Sequence, residues 1–313
     1  MRSLPSAPTP LASARPSSHE VQRAQRLLIA YGIPAHETET IHILVADARS
    51  RSNARGVASH CHSGPIPLNG LRMLADGVFV AGPELCFAQM AQVLTDEREL
   101  IEFGFELCGS YEHDVTAGNG YRERPALSTT SRLSGTLEGL SGLAGIKTAR
   151  WALRYVRDGS RSPMETAHIM TLVLPKRIGG LGIRGIEMNY RIDIPTHLRH
   201  LVRTRYVVCD GYLPARRLDL EYNGFHHNEE ARKAADEERR NVLEAMGHYV
   251  KILTKATFFD CKNYRRHLLA VMAIAEVRDC RLPERFWEHQ EELRRFVLRR
   301  WLLPQRTPRE RKN

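Results

Sequence analysis

The 313-residue chain has no apolar run long enough to cross a bilayer, no CxxC pair among its six cysteines, and no Gly-Lys-Ser or Gly-Lys-Thr to close a phosphate loop. The first absence argues against a membrane-spanning protein. The second leaves Cys61, Cys86, Cys108, Cys209, Cys261 and Cys280 as scattered thiols, expected to be reduced, in a protein expected in the cytoplasm. The third, together with the lack of a glycine fingerprint after a strand, argues against nucleotide-cradling enzymes. His60-Cys61-His62 invites a zinc reading, but neighbours on an extended segment point to opposite faces and no second ligand pair lies at finger spacing, so no zinc is expected there.

Acidic residues are also in short supply. Thirty-six Asp and Glu stand against 46 Lys and Arg, a formal charge of +10 with pI near 9.5. Such an excess favours a polyanionic partner, because Lys and Arg neutralise phosphates and release counterions. A hydrophobic content of 42% and a charged content of 26% describe a globular chain with room for two domains.

One stretch concentrates the chemistry. Arg205–Cys209 is rich in β-branched and aromatic residues and reads as a strand that ends at Asp210, with Gly211–Pro214 as the turn. The next run alternates strictly, Leu218, Leu220 and Tyr222 on one side, Asp219, Glu221 and Asn223 on the other. A hairpin would bring Asp210 and Glu221 together as oxygen donors for a hard divalent cation, Mg²⁺ or Mn²⁺. Asp219 reads as a surface charge. Asn223-Gly224 breaks the strand, and His226-His227 follows where a proton-transfer group could face the site. A helix over Glu229–Met246, with Ala231, Ala235, Val242 and Met246 on its apolar side, and a strand over His248–Thr254 complete the order strand, strand, helix, strand.

These residues resemble a known group. Asp210, then Glu221-Tyr-Asn-Gly, His227, Asp236-x-x-Arg239 and a Gly247-led strand look like the restriction-endonuclease-like PD-(D/E)xK superfamily, in its branch related to very-short-patch-repair (Vsr) endonucleases. The likeness spans roughly residues 160 to 260. It implies an α/β fold with a C-terminal α/β/α core around a mixed sheet, DNA as partner, and metal at Asp210 and Glu221, with Glu165 and His227 assisting. Glu165 in Ser162-Pro163-Met164-Glu165 also fits a helix-start capping box, and the two roles are compatible. Two departures stand out. Asn223 replaces the family's usual Asp, and the superfamily's Lys two residues after the acid is missing, for which Lys251 or His227 are the candidate substitutes.

The rest of the chain frames this core. Residues 1–18, Pro- and Ser-rich without an acid, read as a disordered leader. Residues 19–112 read as a smaller α/β region, and Gly77-Val-Phe-Val-Ala-Gly-Pro-Glu84 leading into a helix resembles the central region of AbiEi-type abortive-infection antitoxins. Residues 113–160 read as a loop and helical connector, with Lys147, Arg150, Arg154 and Arg157 forming a phosphate stripe or a solvated face. The endonuclease-like core is expected over 161–278. The 279–313 segment is a basic amphipathic helix and tail, its residues from 281 onward holding ten Lys or Arg against five Glu, and is expected mainly to pack on the core. The functional expectation is a metal-dependent endonuclease of repair, restriction or phage defence. A DNA-binding antitoxin or transcriptional regulator that has lost cleavage, with a toxin or defence-system partner, is the alternative; an acidic face that binds protein is the third.

Overall fold

The computed structural model describes residues 15–62, 64, 66–67, 70–114, 116–224, 230–277 and 284–302, and it is an α/β protein. The chain divides into two compact units. One comprises 1–101 with 128–154, the other 102–127 with 155–313, so the expected 113–160 connector is shared between them. No helix among the described residues is long and apolar enough to cross a membrane.

The first unit begins with α1 (Ser18–Ala30), whose N-cap Ser17 and Glu20 close a full capping box. Strands β1 (Ile41–Val45) and β2 (Val57–Cys61) pair in parallel, and β3 (Leu71–Ala75) and β4 (Val78–Ala81) form an antiparallel hairpin. Helix α2 (Pro83–Val93) packs with α4 (Thr130–Gly139) and α5 (Ile146–Leu153), while α3 (Glu97–Cys108) carries the chain into the second unit. Buried Glu84 anchors the 128–154 segment. It accepts a hydrogen bond from Ser128 Oγ at 2.8 Å and pairs with Arg132 at 2.9 Å. Gly145 starts α5 with φ +76°, and a Cβ there would lie 2.7 Å from the Ala91 carbonyl oxygen, so this glycine serves close packing.

The second unit is built on a four-stranded sheet. Its strands are β7 (Glu187–Asp193), β8 (Tyr206–Leu213), β9 (Leu218–Asn223) and β10 (Tyr249–Thr254), in the spatial order β10-β9-β8-β7. The first three are antiparallel neighbours and β10 joins β9 in parallel, which makes the sheet mixed. Helix α6 (Pro163–Val173) covers one face, and Ile169 from it meets Gly211. Helix α7 (Glu230–Ala245) covers the other, where Val242 and Leu243 pack with Ile192, Val207, Cys209 and Tyr212. Ala235, expected on that buried side, is exposed; Arg239 takes up the inward face instead. Helices α8 (Lys255–Phe259) and α9 (Cys261–Ala275) follow β10, and α10 (Glu284–Leu302) packs against α6. Buried Arg294 of α10 donates to the carbonyls of Phe258 and Phe259, and Arg299 pairs with Glu102, so two of its arginines are structural. A small hairpin of β5 (Tyr111–His113) and β6 (Tyr121–Glu123) is tied to the start of α6 by Tyr111 Oη and Thr166 Oγ1, 2.9 Å apart.

Strand β8 does not stop at Asp210. Gly211, Tyr212 and Leu213 continue its ladder opposite Leu220, Asp219 and Leu218, and the turn comes later, through Pro214–Arg216 and Arg217 at φ +50°. The glycine that signals a turn in the sequence is needed for a different reason. A Cβ on Gly211 would sit 2.6 Å from Ile169 Cδ1, closer than the layers allow. Gly211→Ala should therefore destabilise the fold by about 1–3 kcal/mol, the usual range for overpacking. Chemical denaturation measures it, and Ile169→Val, which removes that methyl, should recover part of the loss in the double variant.

Candidate metal centre

Strict alternation would put Cys209 and Gly211 on one face of β8. Yet Val207 and Cys209 pack with α7, Gly211 meets α6, and Tyr212 is back with α7. The strand therefore changes face at Asp210, and the facing strand is irregular at the same rung, where Asn189 has φ +49° and interrupts the β7–β8 pairing. The β8–β9 ladder likewise ends at Gly211 and Leu220, one rung short of Asp210 and Glu221. Side chains replace the missing backbone bonds. The Asp210 amide donates to Glu221 Oε1 at 3.1 Å, and the Tyr222 amide donates to Asp210 Oδ2 at 3.0 Å. The two expected ligands thus face each other across an opened rung, both partly exposed.

Glu165 arrives from the first turn of α6. Ser162 caps that helix, accepting from the Glu165 amide at 3.2 Å and donating through Oγ to Glu165 Oε1 at 2.9 Å. The return bond to Glu165 Oε2 comes from the Arg161 amide at 2.9 Å rather than from Ser162, so the expected capping box is present with its register moved by one. This cap does not remove Glu165 from the site. Burial raises its pKa, and repulsion from Glu221 adds to the rise. Asp210 is pushed up to about 7, first by burial, then by Glu221 and by Glu165. Carboxylates from three elements thus converge, and the charge of Glu221 opposes ionisation of both Asp210 and Glu165.

Arg239 of α7 is the local counter-charge. Its guanidinium binds Glu221 through two nitrogens, one of them at 2.6 Å to Oε2, and donates to the Val208 carbonyl at 2.8 Å. It also lies 3.6 Å from Asp219. Asp219 is 0% exposed, which overturns its reading as a surface charge: the turn falls later than expected, so this residue lies inside the sheet under α7. Neither of its oxygens accepts a hydrogen bond among the described residues, and burial, then Glu221, push its pKa to about 9. The sequence carried a signal for Arg239 in the Asp236-x-x-Arg239 spacing. For Asp219 it carried none.

Cys209 Sγ and oxygens of Asp219 and Glu221 lie within 4.8 Å of one another, a donor set that could enclose an ion. Burial and the adjoining carboxylates push the Cys209 thiol up, so it stays protonated and is a poor donor, and Arg239 already supplies the positive charge there. A hard cation fits better on the partly exposed side. Asp210 Oδ1 accepts no hydrogen bond among the described residues, and Glu221 Oε2, held by one Arg239 nitrogen, keeps a lone pair. One or two carboxylates with water and phosphate oxygens make a usual shell for Mg²⁺.

Of the remaining candidates, His227 lies outside the described residues, and Asn223 is exposed at the end of β9. Lys251 pairs in register with Leu220 and lies near His267, lowering its pKa, already depressed by burial, to about 4; among the described residues it makes no ion pair with Asp210 or Glu221. The Lys147-to-Arg157 stripe is not a continuous phosphate face, since Arg150 and Arg157 are bonded to the carbonyls of Leu137 and Ile186. No family model matches the chain, and neither a curated protein nor a solved structure shows significant similarity to it.

The carboxylate cluster sets a pH dependence. An unfolded Asp titrates near 3.9, about three units below Asp210 in the fold. Between those values the native state holds a proton that the unfolded chain has released, so the contribution of Asp210 to stability is full below about pH 4 and is lost as pH rises through 7. Denaturation in EDTA at pH 5 to 8 should show wild type losing stability relative to Asp210→Asn along this range, with the variant the more stable of the two at pH 8; a difference that does not change with pH would contradict the raised Asp210 pKa.

Proposed function

We propose that the chain is a metal-dependent endonuclease that hydrolyses DNA phosphodiester bonds, with Mg²⁺ or Mn²⁺ held by Asp210 and Glu221. The observation that carries this reading is the convergence of Asp210, Glu221 and Glu165 at an opened rung of the sheet, which leaves negative charge that Arg239 only partly offsets. A bound divalent ion would supply Lewis acidity toward the phosphate and a lowered pKa for a bound water. The chain's own groups would do the rest. Asp210 Oδ1 and the remaining lone pair of Glu221 Oε2 are the donors, and Arg239 fixes the orientation of Glu221. Glu165, with its raised pKa, is suited to hold or accept a proton beside them. His227 keeps the proton-transfer role that the resemblance to PD-(D/E)xK enzymes implies. The charge of +10 favours the approach of a polyanion.

The second reading is a DNA-binding antitoxin or transcriptional regulator of AbiEi type that retains the nuclease-like core without cleavage. Lys251, which pairs in register with Leu220 and makes no ion pair with Asp210 or Glu221 among the described residues, and Asn223 in place of Asp favour it, because the superfamily's usual lysine beside the acid is missing. Incubation of supercoiled plasmid and mismatched duplex with Mg²⁺ or Mn²⁺ separates the two. The endonuclease should nick, and Asp210→Ala and Glu221→Ala should each lower the rate by at least about a hundredfold while remaining folded, in line with the loss of a metal ligand. Equal rates in all three proteins would place the activity elsewhere. DNA binding without cleavage in any metal would favour the regulator.

A further inference from the structure

The stretch from Pro195 to Cys209 contains Arg199, Arg203 and Arg205 with His197 and His200, and no acidic residue. All five of these basic side chains are exposed. The stretch runs through a 3-10 turn at Thr196–Leu201 directly into β8, which holds Asp210. At the junction stands Tyr206, 44% exposed, with the Arg191 guanidinium of β7 lying 4.1 Å above its ring centre. Asp193 holds Arg191 at 2.6 Å, which fixes the guanidinium plane over the ring while the Arg191 side chain stays 58% exposed. An aromatic ring capped by a guanidinium whose outer face meets solvent is a surface on which a base can stack. Duplex phosphates alone would not call for it.

Its direction relative to the carboxylates follows from the strand. Val207 and Cys209 turn toward α7, so Tyr206 and Val208 turn to the opposite face, the one that Asp210 and Gly211 join at the switch. Four residues of strand span about 13 Å. A stacked nucleic-acid strand advances 3.4 Å per nucleotide, so about four nucleotides cover that distance. Arg203, 91% exposed and 4.0 Å from Glu238 of α7, and Arg205, which shares its side of the strand with Val207 and Cys209, lie toward the other face, so the platform stands on Arg191 and Tyr206.

We propose that Arg191 and Tyr206 form a stacking platform for an unpaired base, on a nucleic-acid strand that runs along the same face of β8 to Asp210. The substrate class is then a nucleic acid with single-stranded or locally unpaired character. The inference rests on the endonuclease reading only for the destination of the strand, so it is tested by binding alone, in EDTA. The probes are a fluorescein-labelled twelve-nucleotide oligo(dT) and a blunt duplex of equal length, followed by anisotropy over a range of salt.

Wild type should bind the single strand more tightly than the duplex. Tyr206→Ala should weaken single-strand binding roughly five- to a hundredfold without changing its salt slope, as expected for loss of a stacked base. Tyr206→Phe should keep most of the affinity, and Arg191→Lys, which keeps the charge but loses the plane, should behave like Tyr206→Ala. Unchanged single-strand affinity in folded Tyr206→Ala would overturn the platform and leave the endonuclease standing. Single-strand binding with this mutational pattern but no plasmid nicking would do the reverse. Failure of wild type to bind either probe would overturn the platform and the nucleic-acid partner together.

Discussion

Arg239 occupies the position on which the second unit's chemistry depends. A sheet face that carries Asp219 at 0% exposure with Glu221 beside it is strongly unfavourable for two negative charges, and the fold meets this by holding the Asp219 carboxyl up at about 9, protonated at neutral pH, and by placing a cation against Glu221. The guanidinium answers this from α7, holding Glu221 in a forked pair and fastening itself to the β8 backbone at Val208. It thereby ties helix, second strand and third strand into one arrangement. A lysine, with a point charge and no plane, could not make the three contacts at once.

That compensation is incomplete on the other side of the opened rung. Asp210 and Glu165 stand within the field of Glu221, and Arg239 is engaged with Glu221 and Asp219, so the Asp210 carboxyl stays high at about 7. The change of face at Asp210 creates this situation. In a regular strand Gly211 would share a face with Cys209; here it turns to α6, fits beneath Ile169, and the ladder beside it opens to let Asp210 and Glu221 bond each other's strand. A local irregularity in pairing thus becomes a cluster of under-compensated carboxylates at a partly exposed position. Metal-dependent hydrolysis is the chemistry that uses such a cluster most directly.

Much of this was legible in the sequence, and the failures have physical causes. The strands, α6, α7 and the mixed α/β character follow from alternation and helical spacing, which record which side of an element is buried. The Asp210 and Glu221 pairing was readable because eleven residues fit a hairpin. The turn was misplaced because Gly211 was taken as a chain reversal, whereas it is a packing glycine whose partner, Ile169, lies 42 positions earlier. Asp219 was misread for a related reason. Alternation puts it with Glu221, but its burial depends on the cover of α7 and on a carboxyl held up at about 9 and so kept neutral, and no local pattern records that. The assignment of residues 128–154 to the first unit depends on Glu84, again a distant partner.

The most direct measurement is thermal unfolding at pH 8 under increasing Mg²⁺ or Mn²⁺, comparing wild type with Asp210→Ala and Glu221→Ala. At that pH Asp210, whose pKa is about 7, is mostly ionised and available to a cation. A cation that binds only the folded chain stabilises it by about 2.7 kcal/mol at a hundred times its dissociation constant, which appears as a rise in Tm with concentration. The account expects that rise in wild type and its loss in both variants. A flat wild-type titration, or an equal rise in all three proteins, would contradict it.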